Sequence, residues 1–239
     1  MEKAISSGNL AGTKYRIYAP RPAKEGKPRP LVFAFPGNNM KPARMEELSG
    51  FDIPAEREGF IVVYMYEYTA EATFAVLDEV DRDHQVDRAR VYSVGFSKGA
   101  GFTYRLATEH SDRIAAIGIV AGRGPATPTR PVSAVIIHPT KDEFSRGPEM
   151  AEKWAAAIGA GNPQTVPMPD IEEDGHTVSK TAYGGGRQGS EVVLYTVDPG
   201  VHDWPLGPRL RETKKTSCRD IETCEVMWEV FKRHSIEEK

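Results

Sequence analysis

Arg90-Val91-Tyr92-Ser93-Val94-Gly95-Phe96-Ser97-Lys98-Gly99 is the stretch of sequence that decides the fold. Its apolar first half predicts a buried strand, and a helical pattern follows over residues 100–109. A reversal from strand to helix within five residues needs positions without a Cβ, which Gly95 and Gly99 supply. We expect Ser97, at the centre of this turn, to lie above the end of the strand with the helix N-terminus pointing at it.

Apolar runs that alternate with helical patterns continue the same arrangement along the chain. Strands are predicted at residues 15–18, 31–35, 61–64, 91–94, 114–120, 132–137 and 192–197, the first as an edge strand. Helices are predicted at residues 72–86, 100–109 and 218–234. Uniformly apolar strands between helices predict an α/β fold with a mainly parallel central sheet and helices on both faces.

One α/β domain over residues 1–239 accounts for the whole pattern. Residues 159–189 interrupt the alternation with three prolines and the run Gly184-Gly185-Gly186, and only residues 177–183 alternate like a strand. We interpret this segment as a loop-rich excursion between core elements, near the site, and not as a separate domain.

Charge and hydropathy argue against several classes of partner. A net charge of -3 disfavours a nucleic-acid-binding chain, and no apolar run approaches the roughly 20 residues that span a bilayer. The first six residues lack the apolar region of a signal peptide. The sequence therefore leaves the compartment undecided: secreted or periplasmic if a signal has been removed, and otherwise cytoplasmic.

The two cysteines, Cys218 and Cys224, are too few for a zinc site or a disulfide framework. On a single helix they would lie on different faces and could not bond. A disulfide stays possible if the helix begins after Cys218.

Ser97 is the candidate nucleophile, and a serine hydroxyl needs an imidazole and a carboxylate to activate it. On this kind of sheet the acid and then the histidine follow the serine in the chain, in loops after later strands. Asp142, after the strand at 132–137, is the predicted acid, with Glu143 as an alternative. His202, after the last strand, is the predicted base.

Four segments together resemble the polyhydroxybutyrate-depolymerase and feruloyl-esterase group of α/β-hydrolases, which includes acetylxylan esterases. The resemblance extends from about Tyr15 to His234, and its most specific part is a histidine followed by Trp-Pro two positions later. The segments cover residues 31–37, 90–99, 137–142 and 193–205. The resemblance implies an α/β-hydrolase fold and hydrolysis of carboxylic esters through an acyl-enzyme, without a metal or an organic cofactor.

The chain departs from that group at three places. It has Pro36-Gly37 where relatives usually carry His-Gly, and His138-Pro139-Thr140 where they carry His-Gly-Thr. Lys98 stands where a small or neutral polar residue is more common. Its ammonium would favour acidic or polar acyl groups if it faces the substrate, and would otherwise reach solvent.

The negative oxygen of a tetrahedral intermediate needs backbone N–H donors. We expect these at Lys98, directly after the serine, and at Asn38 in the loop after the strand at 31–35, with Asn39 as the alternative donor. Trp204 is predicted either to offer a flat wall to the substrate or to pack in the core. Tyr66 is predicted at the mouth of the cleft, together with Tyr68, and His138 as a further lining residue.

The sequence therefore predicts a serine carboxylesterase acting on small or polymer-linked esters of feruloyl, acetyl or hydroxyalkanoate type. The alternatives are a serine peptidase or lipase on the same fold, and a non-catalytic binding module. The absence of a long apolar lid disfavours a typical lipase. An intact Ser, Asp and His in the expected order disfavours the binding module.

Overall fold

The computed structural model of the chain describes residues 5–10, 13–21, 26–66, 68–125, 127–205 and 217–236. Ten strands are present in these ranges: β1 (Ile5–Leu10), β2 (Thr13–Tyr18), β3 (Arg29–Phe35), β4 (Ile61–Met65), β5 (Val86–Phe96), β6 (Ala116–Val120), β7 (Ser133–Pro139), β8 (Gln164–Pro167), β9 (Thr177–Tyr183) and β10 (Val192–Asp198). They form one sheet in the order β1-β2-β4-β3-β5-β6-β7-β10-β9-β8.

The helices of the described ranges cover both faces of this sheet. They are α1 (Pro42–Ser49), α2 (Asp52–Glu58), α3 (Ala70–His84), α4 (Lys98–Glu109), α5 (Gly147–Ile158) and α6 (Thr223–Phe231). One apolar cluster joins the sheet to α3, α4 and α5, and a second joins the opposite face to α1, α2 and α6. Within these ranges no helix is long and apolar enough to cross a bilayer.

The centre of the sheet is parallel from β4 through β3, β5, β6 and β7 to β10. Residues 31–35 of strand β3 are apolar and buried at every position, with Phe33 and Phe35 in one cluster and Val32 and Ala34 in the other. Because successive side chains of a strand point to opposite faces, a strand buried on both sides must be apolar throughout. The mainly parallel, two-sided sheet agrees with the sequence prediction.

The two ends of the sheet differ from the prediction. Strand β2 is not an edge strand, because β1 pairs with it on its outer side. Residues 159–189 contain two strands where one was predicted, and β8 and β9 form an antiparallel pair that extends the sheet beyond β10. All four residues of β8 are exposed, so no apolar periodicity marks this strand in the sequence.

The ends of two predicted helices shift for local reasons. Helix α3 ends at His84 because Gln85 has a left-handed φ of 53°, after which Val86 already belongs to β5. Helix α6 begins at Thr223, so Cys218 lies outside it. Cys218 and Cys224 are both free and buried, and the disulfide left open by the sequence is not formed.

Candidate active site

Ser97 occupies a sharp turn between β5 and α4, with φ 54° and ψ −113°. The backbone packs so closely here that side chains are excluded on both sides of the serine. A Cβ added to Gly95 would lie 2.2 Å from the carbonyl oxygen of Gly99, and one added to Gly99 would lie 2.1 Å from that of Phe35. Only glycine fits at these two positions, because any larger residue would overlap the backbone. This is the steric reason that the sequence analysis gave for Gly95 and Gly99.

A chain of hydrogen bonds connects Ser97, His202 and Asp142. The Oγ of Ser97 is 2.9 Å from Nε2 of His202, and Nδ1 of His202 is 2.8 Å from Oδ2 of Asp142. The Asp142 side chain is 1% exposed, whereas that of His202 is 35% exposed. The structure thus brings together the three residues that the sequence placed far apart in the chain.

Neighbouring strands hold the acid and the base side by side. Strands β7 and β10 pair in parallel, and the loops that follow them are joined by a hydrogen bond from the Lys141 N–H to the Gly200 carbonyl at 2.7 Å. The second oxygen of Asp142 accepts the Phe144 N–H at 2.9 Å. Asp142 is therefore fixed by hydrogen bonds to both of its carboxylate oxygens.

This arrangement selects one tautomer of His202. An ionised carboxylate accepts hydrogen bonds and cannot donate them, so Nδ1 of His202 carries the proton that Asp142 binds. Nε2 is then left unprotonated and can accept the hydroxyl proton of Ser97. The geometry can therefore activate the Ser97 hydroxyl for attack on an electrophilic carbon.

The β3–α1 loop, residues 36–41, lies against the turn that carries Ser97. A Cβ added to Gly37 would be 3.6 Å from the Cβ of Ser97. The loop turns through a hydrogen bond from the Met40 N–H to the Gly37 carbonyl at 3.2 Å, and Asn39 has a positive φ of 56°. Positive φ at the third residue is what a type II turn requires, and asparagine tolerates it.

The two predicted oxyanion donors lie in segments adjacent to Ser97. Asn38 is exposed in the β3–α1 loop, and Lys98 is the first residue of α4. The first N–H groups of a helix have no acceptor within the helix, so the Lys98 N–H is available to an external oxygen. Negative charge is also favoured at this end of the helix.

Proteins named as esterases are similar to this chain in sequence. It is 27% identical to the putative esterase NocK of Nocardia uniformis subsp. tsuyamanensis, over 81% of this chain and 71% of that protein. It is 27% identical to the probable feruloyl esterase C of Aspergillus niger over 49% of each chain, so it spans about half the length of that relative. No protein-family model matches the chain.

The fold of the chain is similar to that of a solved esterase. The acetyl xylan esterase from Aspergillus awamori superposes with a TM-score of 0.65, over 84% of this chain and 95% of that one, at 15% sequence identity. The chain has an α/β-hydrolase fold and is similar in sequence to esterases. In this fold the antiparallel pair of β8 and β9 extends the sheet beyond β10.

Trp204 corrects one of the substrate-contact predictions for this hydrolase. The side chain is fully buried in the cluster that contains α6, and its ring lies 6.3 Å from that of Phe96. A substrate in the cleft cannot reach it. The alternative prediction, that Trp204 packs the loop after β10 into the core, describes its position.

The two tyrosines after β4 lie in different places. Tyr66 is exposed and lines a groove with residues of β1, β2 and α1, among them Lys14 and Lys41. Tyr68 lines a separate cavity with Lys98 and Phe102, next to the Ser97 turn. Of the two, Tyr68 therefore borders the residue that follows Ser97, and Tyr66 does not.

The Lys98 side chain is exposed, and its ammonium lies 5.9 Å from the centre of the Tyr68 ring. A cation over an aromatic face at this distance is attracted by the ring electrons. The ammonium thus lies at the rim of the cavity that Tyr68 and Phe102 line. This position is intermediate between the two predictions for Lys98, facing the substrate or reaching solvent.

His138 lies beside the acid but outside the hydrogen-bond chain. Its Nδ1 is 2.7 Å from Oγ of Ser145, and both residues line a cavity next to Asp142. Burial lowers the pKa of His138 below its ordinary value. Its neutral ring therefore serves as a hydrogen-bond partner of Ser145, in keeping with the chain order that disfavoured it as the base.

Two aromatic rings, Phe96 and Phe144, flank His202, and the sequence analysis predicted neither of them there. The ring centre of Phe96 is 5.1 Å from that of His202, and the ring centre of Phe144 is 5.7 Å away at an angle of 65°. Phe144 is 65% exposed. A phenylalanine two positions after the predicted acid is a signal that could have identified Phe144.

Among the described residues no cluster of three or more His, Cys, Asp or Glu side chains could hold a metal ion.

Proposed function

We propose that the chain is a serine carboxylesterase with a single catalytic domain and a Ser97–His202–Asp142 triad. The observation that carries the proposal is the continuous pair of hydrogen bonds, 2.9 Å from Ser97 to His202 and 2.8 Å from His202 to Asp142. The strained backbone of Ser97 also supports a functional role, because such strain concentrates at active sites. Relatedness to esterases supports the ester bond as the target.

The proposed reaction begins when Oγ of Ser97 attacks the carbonyl carbon of the ester and its proton passes to Nε2 of His202. The carbonyl π electrons move onto oxygen, and the backbone N–H groups of Lys98 and Asn38 stabilise the resulting anion. The tetrahedral intermediate then collapses, the C–O bond to the alcohol breaks, and His202 protonates the departing alcohol. Asp142 stabilises the charged imidazole throughout.

Water completes the cycle by repeating these steps on the acyl-enzyme. His202 takes a proton from the water as the water oxygen attacks the acyl carbon, and the same N–H groups receive the second oxyanion. The bond to Oγ of Ser97 then breaks, and His202 returns the proton to the serine. The carboxylic acid leaves and the enzyme is regenerated.

The proposed substrates are small or polymer-linked esters of feruloyl, acetyl or hydroxyalkanoate type. The exposure of His202 and Phe144 supports access by an ester that is attached to a bulky alcohol. Feruloyl and acetyl groups are supported by the names of the relatives. Hydroxyalkanoate esters rest on the sequence resemblance alone.

Hydrolysis of p-nitrophenyl acetate by the wild type and by Ser97→Ala tests the triad. We expect the substitution to lower kcat by about 10⁴-fold or more, because the nucleophile is lost while the oxyanion donors stay. Ser179→Ala, on β9 and away from the site, is the matched control and should retain wild-type activity. Equal rates for the wild type and Ser97→Ala would refute the proposal.

A substrate panel then separates the ester classes. Methyl ferulate, acetylated xylan, hydroxybutyrate oligomers, long-chain acyl esters and a peptide p-nitroanilide are compared by kcat/KM. For a carboxylesterase we expect kcat/KM for one of the first three substrates to exceed that for the long-chain esters and the anilide by at least tenfold. A preference for the anilide or for the long-chain esters would instead identify a peptidase or a lipase.

A further inference from the structure

Tyr68 connects the two segments that carry the proposed oxyanion donors. It lies between β4 and α3, and its hydroxyl donates a hydrogen bond to the Pro36 carbonyl at 2.8 Å. Its ring packs 5.0 Å from that of Phe35 and 4.8 Å from that of Phe102 on α4, measured between centroids. The triad chemistry does not use this residue, yet it contacts the β3–α1 loop and the helix that begins at Lys98.

Two hydrogen bonds orient the peptide planes of the β3–α1 loop. A trans peptide unit is planar, so its C=O and its N–H point in opposite directions. The Tyr68 hydroxyl holds the Pro36 carbonyl, and the Met40 N–H holds the Gly37 carbonyl at 3.2 Å. The peptide unit that contains the Gly37 carbonyl also contains the Asn38 N–H. Because the carbonyl points toward Met40, this N–H points away from Met40.

Gly37 joins these two planes and is the weak point of the loop. Glycine has no Cβ to restrict rotation, so each plane needs its own anchor to keep its direction. Proline cannot donate a hydrogen bond from its backbone nitrogen, which leaves the Pro36 carbonyl as the only backbone hydrogen-bonding group of that residue. If the Tyr68 bond is removed, the plane before Gly37 is free to rotate and to displace the Asn38 N–H.

The surroundings of Tyr68 suit it to this task. The ring packs against both Phe35 and Phe102, which also contact each other, so the direction of the hydroxyl is fixed. Burial raises the pKa of Tyr68 to about 12, so the phenol remains a neutral donor at the pH of ordinary assays. The Lys98 ammonium lies over the Tyr68 ring, 5.9 Å from its centre.

We infer that Tyr68 is a positioning residue that fixes the β3–α1 loop in the conformation that presents the Asn38 N–H to the oxyanion. The inference rests on the proposed function and adds to it a residue that acts on the donor from outside the triad. It does not require Tyr68 to touch the substrate. The effect of losing its hydroxyl should therefore fall on the transition state and not on substrate binding.

Tyr68→Phe removes the hydroxyl and keeps the ring. We expect kcat for p-nitrophenyl acetate to fall about 10-fold, less than the 10²–10³ typical when an oxyanion donor is deleted outright, because the donor is misdirected and not removed. KM should change less than about twofold, as an interaction made only in the transition state predicts. A methyl trifluoromethyl ketone, which adds to Ser97 and forms an oxyanion, should bind more weakly by a factor similar to the loss in kcat.

Two further variants keep the test decisive. Tyr18→Phe is the matched control, since it also removes a hydrogen-bonded tyrosine hydroxyl, here one that donates to Glu56 from strand β2. It should leave kcat and the ketone affinity unchanged. Tyr68→Met fills the apolar site without a hydroxyl and should reproduce the loss if Tyr68→Phe is poorly folded by circular dichroism.

Three results would overturn the inference. They are an unchanged kcat in Tyr68→Phe, a lower kcat with unchanged ketone affinity, and a higher KM with unchanged kcat, which would make Tyr68 a substrate contact. The Ser97→Ala variant distinguishes this failure from failure of the proposed function. If Ser97→Ala is inactive while Tyr68→Phe behaves as the wild type, only the inference about Tyr68 is wrong.

Discussion

The turn that carries Ser97 (residues 95–99) and the loop that carries His202 (residues 198–205) meet at one hydrogen bond but are held in different ways. The first is held by backbone contact so close that a Cβ at Gly95 or Gly99 would overlap other atoms. In the second, His202 is oriented by a hydrogen bond to Asp142 and by two aromatic rings. A steric overlap in the Ser97 turn must be relieved by moving the backbone. The hydrogen bond and ring contacts of the His202 loop can be weakened one at a time.

The comparison teaches that substitutions should act differently in the two regions. In the Ser97 turn, one added methyl group must move the backbone. In the His202 loop, each supporting group can be removed singly, and the loss should follow the strength of the contact that disappears.

Asp142→Asn should have the largest effect among these, lowering kcat by about 10⁴-fold with little change in fold. The amide keeps the shape of the carboxylate, but it can donate to Nδ1 of His202 and so favour the tautomer that cannot accept the Ser97 proton. The measurement is kcat for p-nitrophenyl acetate together with the unfolding temperature. Glu143→Gln is the matched control at the neighbouring carboxylate, and it should remain active because Asp142 makes the bond to His202.

If Glu143→Gln proved as damaging as Asp142→Asn, the assignment of the acid would be wrong. The alternative acid named by the sequence would then have to reach His202 in the working enzyme. Equal and small losses in both variants would remove the carboxylate from the mechanism altogether.

Gly99→Ala should lower kcat/KM by about 10²-fold or more, because displacing a catalytic group by about 1 Å costs that much. The added Cβ would lie 2.1 Å from the Phe35 carbonyl oxygen, so the Ser97 turn must shift. Gly101→Ala is the milder control one half-turn along α4, where the added Cβ would lie 3.3 Å from the Arg123 carbonyl, a tight contact that a shift of a few tenths of an ångström relieves. It should stay close to wild type in both activity and stability, and a Gly99→Ala enzyme that does the same would contradict steric control.

Phe144→Ala should have the smallest effect, lowering kcat/KM by about two- to fivefold, since a single aromatic contact contributes on the order of 1 kcal/mol. His202 keeps its hydrogen bond to Asp142 and its contact with Phe96 in this variant. Ile171→Ala removes another exposed apolar side chain, 63% exposed, and controls for a general surface effect. A loss above 10²-fold in Phe144→Ala would show that the His202 loop is held as rigidly as the Ser97 turn.

The sequence was informative where chemistry and backbone geometry demand particular residues. Gly95, Ser97 and Gly99 could be identified because few residue types fit that turn. Uniformly apolar runs such as residues 31–35 of β3 could be identified because both of their faces are buried. Asp142 and His202 could be identified from their order after later strands.

The sequence was uninformative where position depends on packing between distant segments. Trp204 is equally compatible with a cleft wall and a core position, and only its contacts with Phe96 and α6 decide the question. Strand β8 carries no apolar pattern because it is exposed on all sides, so its pairing with β9 is invisible in its own residues. The bond from Tyr68 to Pro36 joins positions 32 residues apart without any motif to mark it.

The backbone angles of Ser97 have a consequence for the heat resistance of the molecule. A non-glycine residue held at φ 54° and ψ −113° costs about 1–3 kcal/mol of folding stability. Glycine adopts such angles without that cost, so Ser97→Gly should melt at a higher temperature than Ser97→Ala although both lack the hydroxyl. Selecting variants for a high melting temperature alone would therefore favour an inactive protein. Catalytic activity has to be selected together with thermal stability.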